Sequence, residues 1–281
     1  MSTTTHDTHA ARSAGGGTPE PAAPGTSRRA FLAILGRDLW VTIRREPGGF
    51  LAQALLQPIF FLFVFGRVLP EIGQAQGSYG DLLLPGVMAL TAITVALQNV
   101  ALPLVIEFSF TKEIEDRLLA PLPAWAVGVE KIVHAAMRGV FSAFVLLPVA
   151  AVVLPGGLSL GGANWPALVA VVVGGAVAGG CLGLVLGTAV PANRINVVFA
   201  VVLTPLLFTG ATFYPWSSLD ELRWFQVLTL VNPLTYVSEG ARAAIGTGEH
   251  MATWAIPAGI LGSVALFGTI GLLGFRRRAI D

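Results

Sequence analysis

Charge is the scarcest property of this chain. Only 12% of its 281 residues are Asp, Glu, Lys or Arg, where a water-soluble domain carries about 25%. The chain is instead 54% hydrophobic, a composition that belongs in a lipid bilayer. Net charge is +1, so there is no global field for nucleic acid. Lysine occurs only at Lys112 and Lys131, and neither follows a glycine-rich loop. The phosphate-cradling pattern G-x-x-x-x-G-K-S/T is therefore missing, and the chain cannot hydrolyse ATP by that route. Cys181 is the one cysteine. It excludes an intrachain disulfide and a thiolate metal site, and it reads as a small packing residue. His6, His9, His134 and His250 are scattered, without the spacing of a metal-ligand pair inside a span. Neither H-E-x-x-H nor G-x-S-x-G occurs. No catalytic residue, no metal ligand and no cofactor of its own are expected. No acidic residue is placed deep in a span, which leaves an ion relay without an obvious carrier.

The apolar residues that are present fall into runs of membrane-spanning length, about 20 residues for a helix. Residues 1–27 are rich in Thr, Ala, Gly and Pro without apolar periodicity. They read as a disordered tail, not a signal peptide. Over 28–46, Leu32, Leu35, Leu39 and Ile43 recur at helical spacing among Arg28, Arg29, Arg37, Arg44 and Arg45. This suits an amphipathic helix lying in the membrane interface. Spans are expected near 50–69, 82–106, 132–154, 165–190, 195–214 and 254–275, all within one transmembrane domain, 28–281. The first carries Phe60 and Phe63 in a phenylalanine-rich run. A hydrophobic substrate could stack there, although lipid contact or helix packing is the simpler account. Gln98 and Asn99 lie inside the second span. Such amides usually hydrogen-bond to a neighbouring helix; contact with substrate is the other reading. In the fourth span Gly175, Gly179, Gly183 and Gly187 recur every fourth residue. They form a smooth groove for close helix approach, within one subunit or between two.

Two polar segments interrupt the oil. After the second span comes EFSFTKEIEDRLLAPLP, residues 107–123. Thr111 can cap a helix, the acids that follow suit its positive end, and Pro121 and Pro123 stop it. It reads as a short water-facing helix placed where a soluble partner could grasp it, or as a plain solvated loop. After the fifth span comes PWSSLDELRWFQVLTLVNPLTY. Ser218 and Glu221 have capping-box spacing, Leu222, Phe225 and Leu228 make an apolar stripe, and Trp216 and Trp224 favour an interface. This predicts a short helix at, or dipping into, the outer membrane face. Glu239 and Arg242 follow at i, i+3, which allows an ion pair. Arg28 to Arg45, Lys112, Arg117, Lys131, Arg138, Arg194 and Arg276 to Arg278 all fall on one side of a six-span topology. By the positive-inside rule that side is cytoplasmic, and both termini are there.

These segments, in this order, resemble the six-span permeases of the second bacterial type of ABC exporter. The resemblance runs over about residues 28–281. It is carried by EIEDRLLAPLP after the second span, by FTGATFYPWSSLDELRWFQVLTLVNPLTY after the fifth, and by Arg242 beyond NPLTY. Family members often have glycine where this chain has Asp116. The resemblance implies an all-α membrane protein of six spans. To these it adds an N-terminal interfacial helix, a cytoplasmic coupling helix and short outer re-entrant helices between spans five and six. It implies that Glu113, Ile114, Glu115, Asp116 and Arg117 form the coupling segment. Two cytoplasmic ATPase subunits would receive it, and they bind the ATP and Mg. A second permease copy, identical or related, would complete the assembly. Trp216, Leu222, Phe225, Asn232 and Pro233 would belong to an outer gate. Phe60, Phe63, Gln98 and Asn99 are candidate pathway-lining residues. The expected activity is export of a hydrophobic drug, antibiotic, lipid or lipid-linked glycan across a bacterial plasma membrane. The rivals are an ion-coupled secondary transporter and a membrane-embedded enzyme. Either would need charged or catalytic groups that the spans do not supply.

Overall fold

The computed structural model describes residues 24–45, 47–73, 79–111, 123–154, 158, 160–246 and 248–280. Among these residues every regular element is helical. α1 is Pro24–Arg45 and α2 is Pro47–Phe63, which is prolonged by a wide π turn, Val64–Val68, and a last turn, Leu69–Glu71. α3 is Tyr79–Ile106 and ends in a second π turn, Glu107–Thr111. α4 is Ala124–Val153, α5 is Trp165–Ala189 and α6 is Ile195–Thr209. A 3-10 turn at Trp216–Leu219 leads to two short helices, α7 (Arg223–Thr229) and α8 (Pro233–Ile245). α9, Ala255–Ile280, ends the described chain.

Six stretches are long and apolar enough to cross a membrane: Gly48–Glu71, Tyr79–Ser109, Trp125–Val153, Trp165–Ala189, Ala192–Thr209 and Ala255–Arg278. With six crossings, α1 and the end of α9 share one face of the bundle, here the terminal face. The α5 and α9 starts share the other, the far face, with α7 and α8 between α6 and α9.

α3 and α5 form the centre. About two thirds of their apolar windows are inside the protein, against 11% for α6 and 17% for α2 and α9. The glycine row of α5 explains this. A Cβ on Gly183 would lie 2.5 Å from the Leu97 carbonyl oxygen of α3, and one on Gly187 would lie 2.9 Å from Leu104 Cβ. Gly179 sits equally tightly on the Ile93 backbone, and Gly175 meets Val237 of α8. The groove is thus filled by helices of the same chain, the packing that small residues permit where lipid supplies no hydrophobic drive. Gly139 of α4 makes the same close approach to the Ala92 carbonyl. Hydroxyls inside α3 bond back to their own helix, Thr91 to the Val87 carbonyl at 2.8 Å and Thr94 to that of Leu90 at 2.7 Å. This satisfies them without a partner helix.

Several boundaries differ from those read in the sequence. α1 begins at Pro24, four residues inside what reads as the tail. α4 begins at Ala124, so Glu130 and Lys131 are inside the helix and do not precede it. The cause is apolar cover. Glu107 and Lys131 meet at 2.7 Å, both about nine-tenths buried, so these charges do not break the span. Glu107 and Glu130 thus lie inside their helices, within about two turns of the terminal-face ends and not deep in a span. α6 stops at Thr209 with Gly210 as its C-cap, short of the expected end at 214. In α1, Phe31 and Ile34 turn toward the bundle while Leu32 is 56% exposed.

Candidate functional site

The far-face end of the molecule is organised by one buried ion pair. Asn232 has its side chain free to cap because Pro233 occupies the first helical position. Its Oδ1 accepts from the Leu234 N–H at 2.9 Å and so starts α8. Its Nδ2 reaches back to α6, to the Leu206 carbonyl at 2.8 Å and Thr209 Oγ1 at 2.9 Å. Thr235 adds bonds to the carbonyls of Thr229 at 2.7 Å and Thr209 at 3.2 Å. α8 is thereby fastened to the end of α6 and turned inward. It ends at Gly246, whose φ of +79° is the left-handed C-cap that glycine takes without strain.

About two turns into α8, Glu239 and Arg242 are both fully buried and paired. The Glu239 carboxylate also accepts from the backbone N–H of Trp216 at 3.0 Å and of Met251 at 2.7 Å. Arg242 Nη2 donates to the Ala211 carbonyl at 3.1 Å. Ala211 has φ +50°, the left-handed region that residues with a Cβ avoid. The pair thus joins three segments that are far apart in sequence: the turn after α6, the 3-10 turn at Trp216, and the loop before α9. Burial pulls the Arg242 guanidinium below its ordinary value, and the Glu239 carboxylate pushes it back up. A buried pair of this kind is not cheap to form, but losing one partner is far more costly than losing both. Tyr79 at the start of α3 fixes the same turn by donating to the Phe213 carbonyl at 2.9 Å. Gly86 leaves room for the Thr212 backbone to lie directly on α3.

The residues expected in an outer gate divide here. Trp216, Asn232 and Pro233 are built into this knot. Leu222 is 50% exposed, and Phe225 is half-buried in a chain of rings with Trp224 and Tyr214. The expected capping box does not form: Pro215 caps the 3-10 turn and Leu222 precedes α7, with no side-chain cap bond at either. The apolar stripe also lies outward, since Leu222 and Leu228 are exposed while Gln226 and Thr229 are buried. The reason is hydrogen bonding. Gln226 Nε2 bonds Asp220 Oδ1 at 2.8 Å and the Trp216 carbonyl at 3.3 Å, while Trp216 Nε1 returns a bond to the Gln226 carbonyl at 3.3 Å. The polar side of α7 pays its desolvation with these bonds, and its apolar side is left for lipid or a partner.

On the terminal-face half, Gln98 and Asn99 of α3 line a cleft of about 460 Å³ together with Phe50, Gln53 and Ala54 of α2. Asn99 does not bond a neighbouring helix as such amides usually do; its Nδ2 bonds the Val95 carbonyl of its own helix at 2.7 Å. Gln53 went unremarked in the sequence, although an amide in an apolar run is the signal that singled out Gln98. Phe60 and Phe63 are not in this cleft. Both are exposed on the outside of α2.

The coupling residues Glu113, Ile114, Glu115, Asp116 and Arg117 lie outside the described residues. The stems on either side of them are described, and they are tightly held. Glu107 pairs with Lys131. Phe108 stacks edge-on to Phe275 at 5.9 Å, under the Arg278 guanidinium at 4.7 Å. Arg278 Nη1 in turn bonds the Thr188 carbonyl at 2.8 Å and so caps the end of α5. The helices that lead into and out of the charged segment are thus locked to α5 and α9.

A profile of the ABC-2 type transporter matches residues 29–245, which is most of the chain and includes both polar segments. The chain belongs to the ABC-2 type transporter family. It is 28% identical over 197 residues to the "Inner membrane transport permease YadH" of Escherichia coli K12, which covers 68% of this chain and 74% of the relative. It is 27% identical over 229 residues to the "Putative transport permease ycf38" of Cyanophora paradoxa, covering 75% and 72%. The chain is therefore a type-2 ABC permease and a multi-pass membrane protein. Permeases of this family generally work with separate ATPase subunits. The Glu239–Arg242 pair and the cleft at Gln98 both lie within the matched region, and Met251, which bonds Glu239, lies just beyond it.

Proposed function

We propose that this chain is the transmembrane subunit of an ATP-driven exporter in a bacterial plasma membrane. It pairs with a second permease copy and with two ATPase subunits, which bind the ATP and Mg. The match of the family profile across 29–245 carries this reading. Both termini are cytoplasmic, because Lys131, Arg138, Arg194 and the Arg276 to Arg278 cluster fall on the terminal face. The 113–117 segment then faces the ATPase. Its stems are braced by the Glu107–Lys131 pair and by Arg278, so a push on the segment passes through α3 and α4 to α5 and α9.

The second copy takes the faces that this chain leaves bare. α2 exposes Leu56, Phe60 and Phe63, and α6 exposes Val197, Val201 and Phe208. These two spans flank α3, whose Gln98 and Asn99 open into the cleft. A hydrophobic drug, antibiotic, lipid or lipid-linked glycan entering between two copies would meet phenylalanine first and amides next. The far-face knot would act as the lid that ATP binding releases, a two-state element biased from a distance. The test is purification of the tagged protein from native membranes in mild detergent, with mass spectrometry of its companions. A stoichiometric nucleotide-binding ATPase is expected, and the Glu113→Lys/Glu115→Lys variant should insert normally and lose it. A permease that purifies without any ATPase, with flux driven by a proton or sodium gradient, would overturn the reading in favour of secondary transport.

A further inference from the structure

A second cavity, of about 530 Å³, lies on the far-face half of the bundle, away from the cleft at Gln98. Among the described residues it is bounded by α5, α8, the loop before α9, and the start of α9. Small side chains make the space. Ala167, Ala170 and Gly174 lie along one face of α5, opposite Gly240, Ala243 and Ala244 of α8. Ile260 closes the deep end, since its Cγ2 lies 2.7 Å from where a Gly174 Cβ would be. The side is open, as Ala170, Pro257 and Leu261 are exposed.

Three features say what fills it. The first is depth. Trp165 and Trp254 are both exposed at the starts of α5 and α9, the level at which tryptophan marks the membrane interface. From Asn164 to Gly174 the groove runs down α5 for roughly 15 Å, which is half of a hydrocarbon core of about 30 Å. The groove is as deep as one leaflet. The second is polarity. The polar lining residues Asn164, His250 and Thr253 belong to the mouth, and the wall below is apolar. Asn164 Oδ1 is used to cap α5 at Ala167 N, 3.2 Å, which leaves its amide N–H₂. His250 Nδ1 is used by the Met251 carbonyl at 2.8 Å, which leaves Nε2. The third is charge. Among the described residues, no Lys, Arg, Asp or Glu lines the cavity. Its mouth offers hydrogen-bond donors and acceptors without net charge, which fits a zwitterionic headgroup and gives an anionic one no counter-ion.

We infer that this groove is a binding site for a zwitterionic glycerophospholipid of the far-face leaflet, with one acyl chain along Ala170 and Gly174 and the headgroup at Asn164, His250 and Thr253. The inference does not rest on the export reading, because the site fills from the bilayer whether or not an ATPase is bound. Apolar contact alone would not select one lipid over another, since lipid tails are as apolar as the groove. Selection comes from the headgroup bonds. One or two of them give a preference of roughly fivefold.

The experiment uses the full chain in nanodiscs of phosphatidylglycerol and phosphatidylethanolamine. Either lipid is supplied in trace amount with a photoactivatable diazirine in its acyl chain, and labelled peptides are mapped by mass spectrometry. Labelling of residues 167–174 and 256–261 is compared with labelling of the exposed α9 face at Leu266 and Ile270. With the phosphatidylethanolamine probe the groove-to-α9 ratio should exceed that of the phosphatidylglycerol probe by roughly fivefold. Ala170→Trp, which fills the groove from its exposed side, should abolish groove labelling and leave the Leu266 and Ile270 face unchanged. Equal ratios for the two probes in the wild-type protein, or undiminished groove labelling in A170W with normal labelling at Leu266 and Ile270, would overturn the site. If A170W does not fold, the wild-type ratios decide alone.

Discussion

Replacing Arg242 by methionine isolates the ion pair that holds the far face together. The substitution keeps the length and apolar stem of the side chain and removes the cation. Glu239 then stays fully buried, with the Trp216 and Met251 N–H groups as its remaining partners. An uncompensated buried charge of this kind costs about 3–5 kcal/mol, and the lost bond to the Ala211 carbonyl adds about 1 kcal/mol. For a chain of this size each kcal/mol lowers Tm by roughly 2–4 °C, so a drop of about 10 °C or more is expected. Glu239→Gln should do comparable harm for two reasons. It strands the guanidinium, and its amide has one acceptor oxygen for two backbone donors. The double variant E239Q/R242M removes both charges and should be more stable than the sum of the single losses predicts, by about 2–3 kcal/mol. The assay is thermal unfolding of the purified protein in one detergent, with all four proteins measured together. If R242M melts within about 2 °C of the wild type, or if the two losses simply add, Glu239 and Arg242 are not a buried pair and the knot is wrongly drawn.

Further outcomes follow from the packing. Gly183→Leu should abolish folded yield, because even its Cβ would lie 2.5 Å from the Leu97 carbonyl oxygen and overpacking costs about 1–3 kcal/mol before the rest of the side chain is placed. Gly262→Ala, which meets nothing within 4 Å, should be neutral or slightly stabilising in the same expression and melting assays. Ala211→Val should destabilise by about 1–3 kcal/mol, since φ +50° is worse for a β-branched residue than for alanine, while Ala211→Gly should not; paired melts decide. Cys181, 3% exposed where α5 meets α9 at Gly268, should resist a membrane-permeant maleimide in native membranes and label fully after denaturation.

The single-residue readings that succeeded rest on chemistry that does not depend on neighbours. The glycine row of α5 could be read because a residue without a side chain every fourth position can serve close packing and little else. Which helices fill that groove could not be read: Leu97 and Ile93 come from α3 and Val237 from α8, long-range choices that leave no local mark. Which side of α7 turns inward could not be read for a related reason. Leu222, Phe225 and Leu228 form an apolar stripe, but in a bilayer the rule that apolar means inside loses its force. Hydrogen bonds from Gln226 to Asp220 and Trp216 instead decided which side of α7 turned inward. Gln98 and Asn99 were legible as polar groups needing an explanation, while their shared cleft with Gln53 needed α2 in place.

The sequence by itself determined that this protein is a helical bundle in a membrane, which of its segments are long and apolar enough to cross it, and which loops carry charge. Those properties follow from the length and polarity of contiguous segments, because the bilayer tests each segment separately for apolar length and for satisfied backbone groups. Only the tertiary structure decided that α3 and α5 are central, that Glu239 and Arg242 are sealed from water, and that Glu107 meets Lys131 across two helices. The physical reason is that burying a charge is tolerable only beside a particular partner with particular hydrogen bonds. Whether that partner arrives is settled by packing between segments that the sequence keeps far apart.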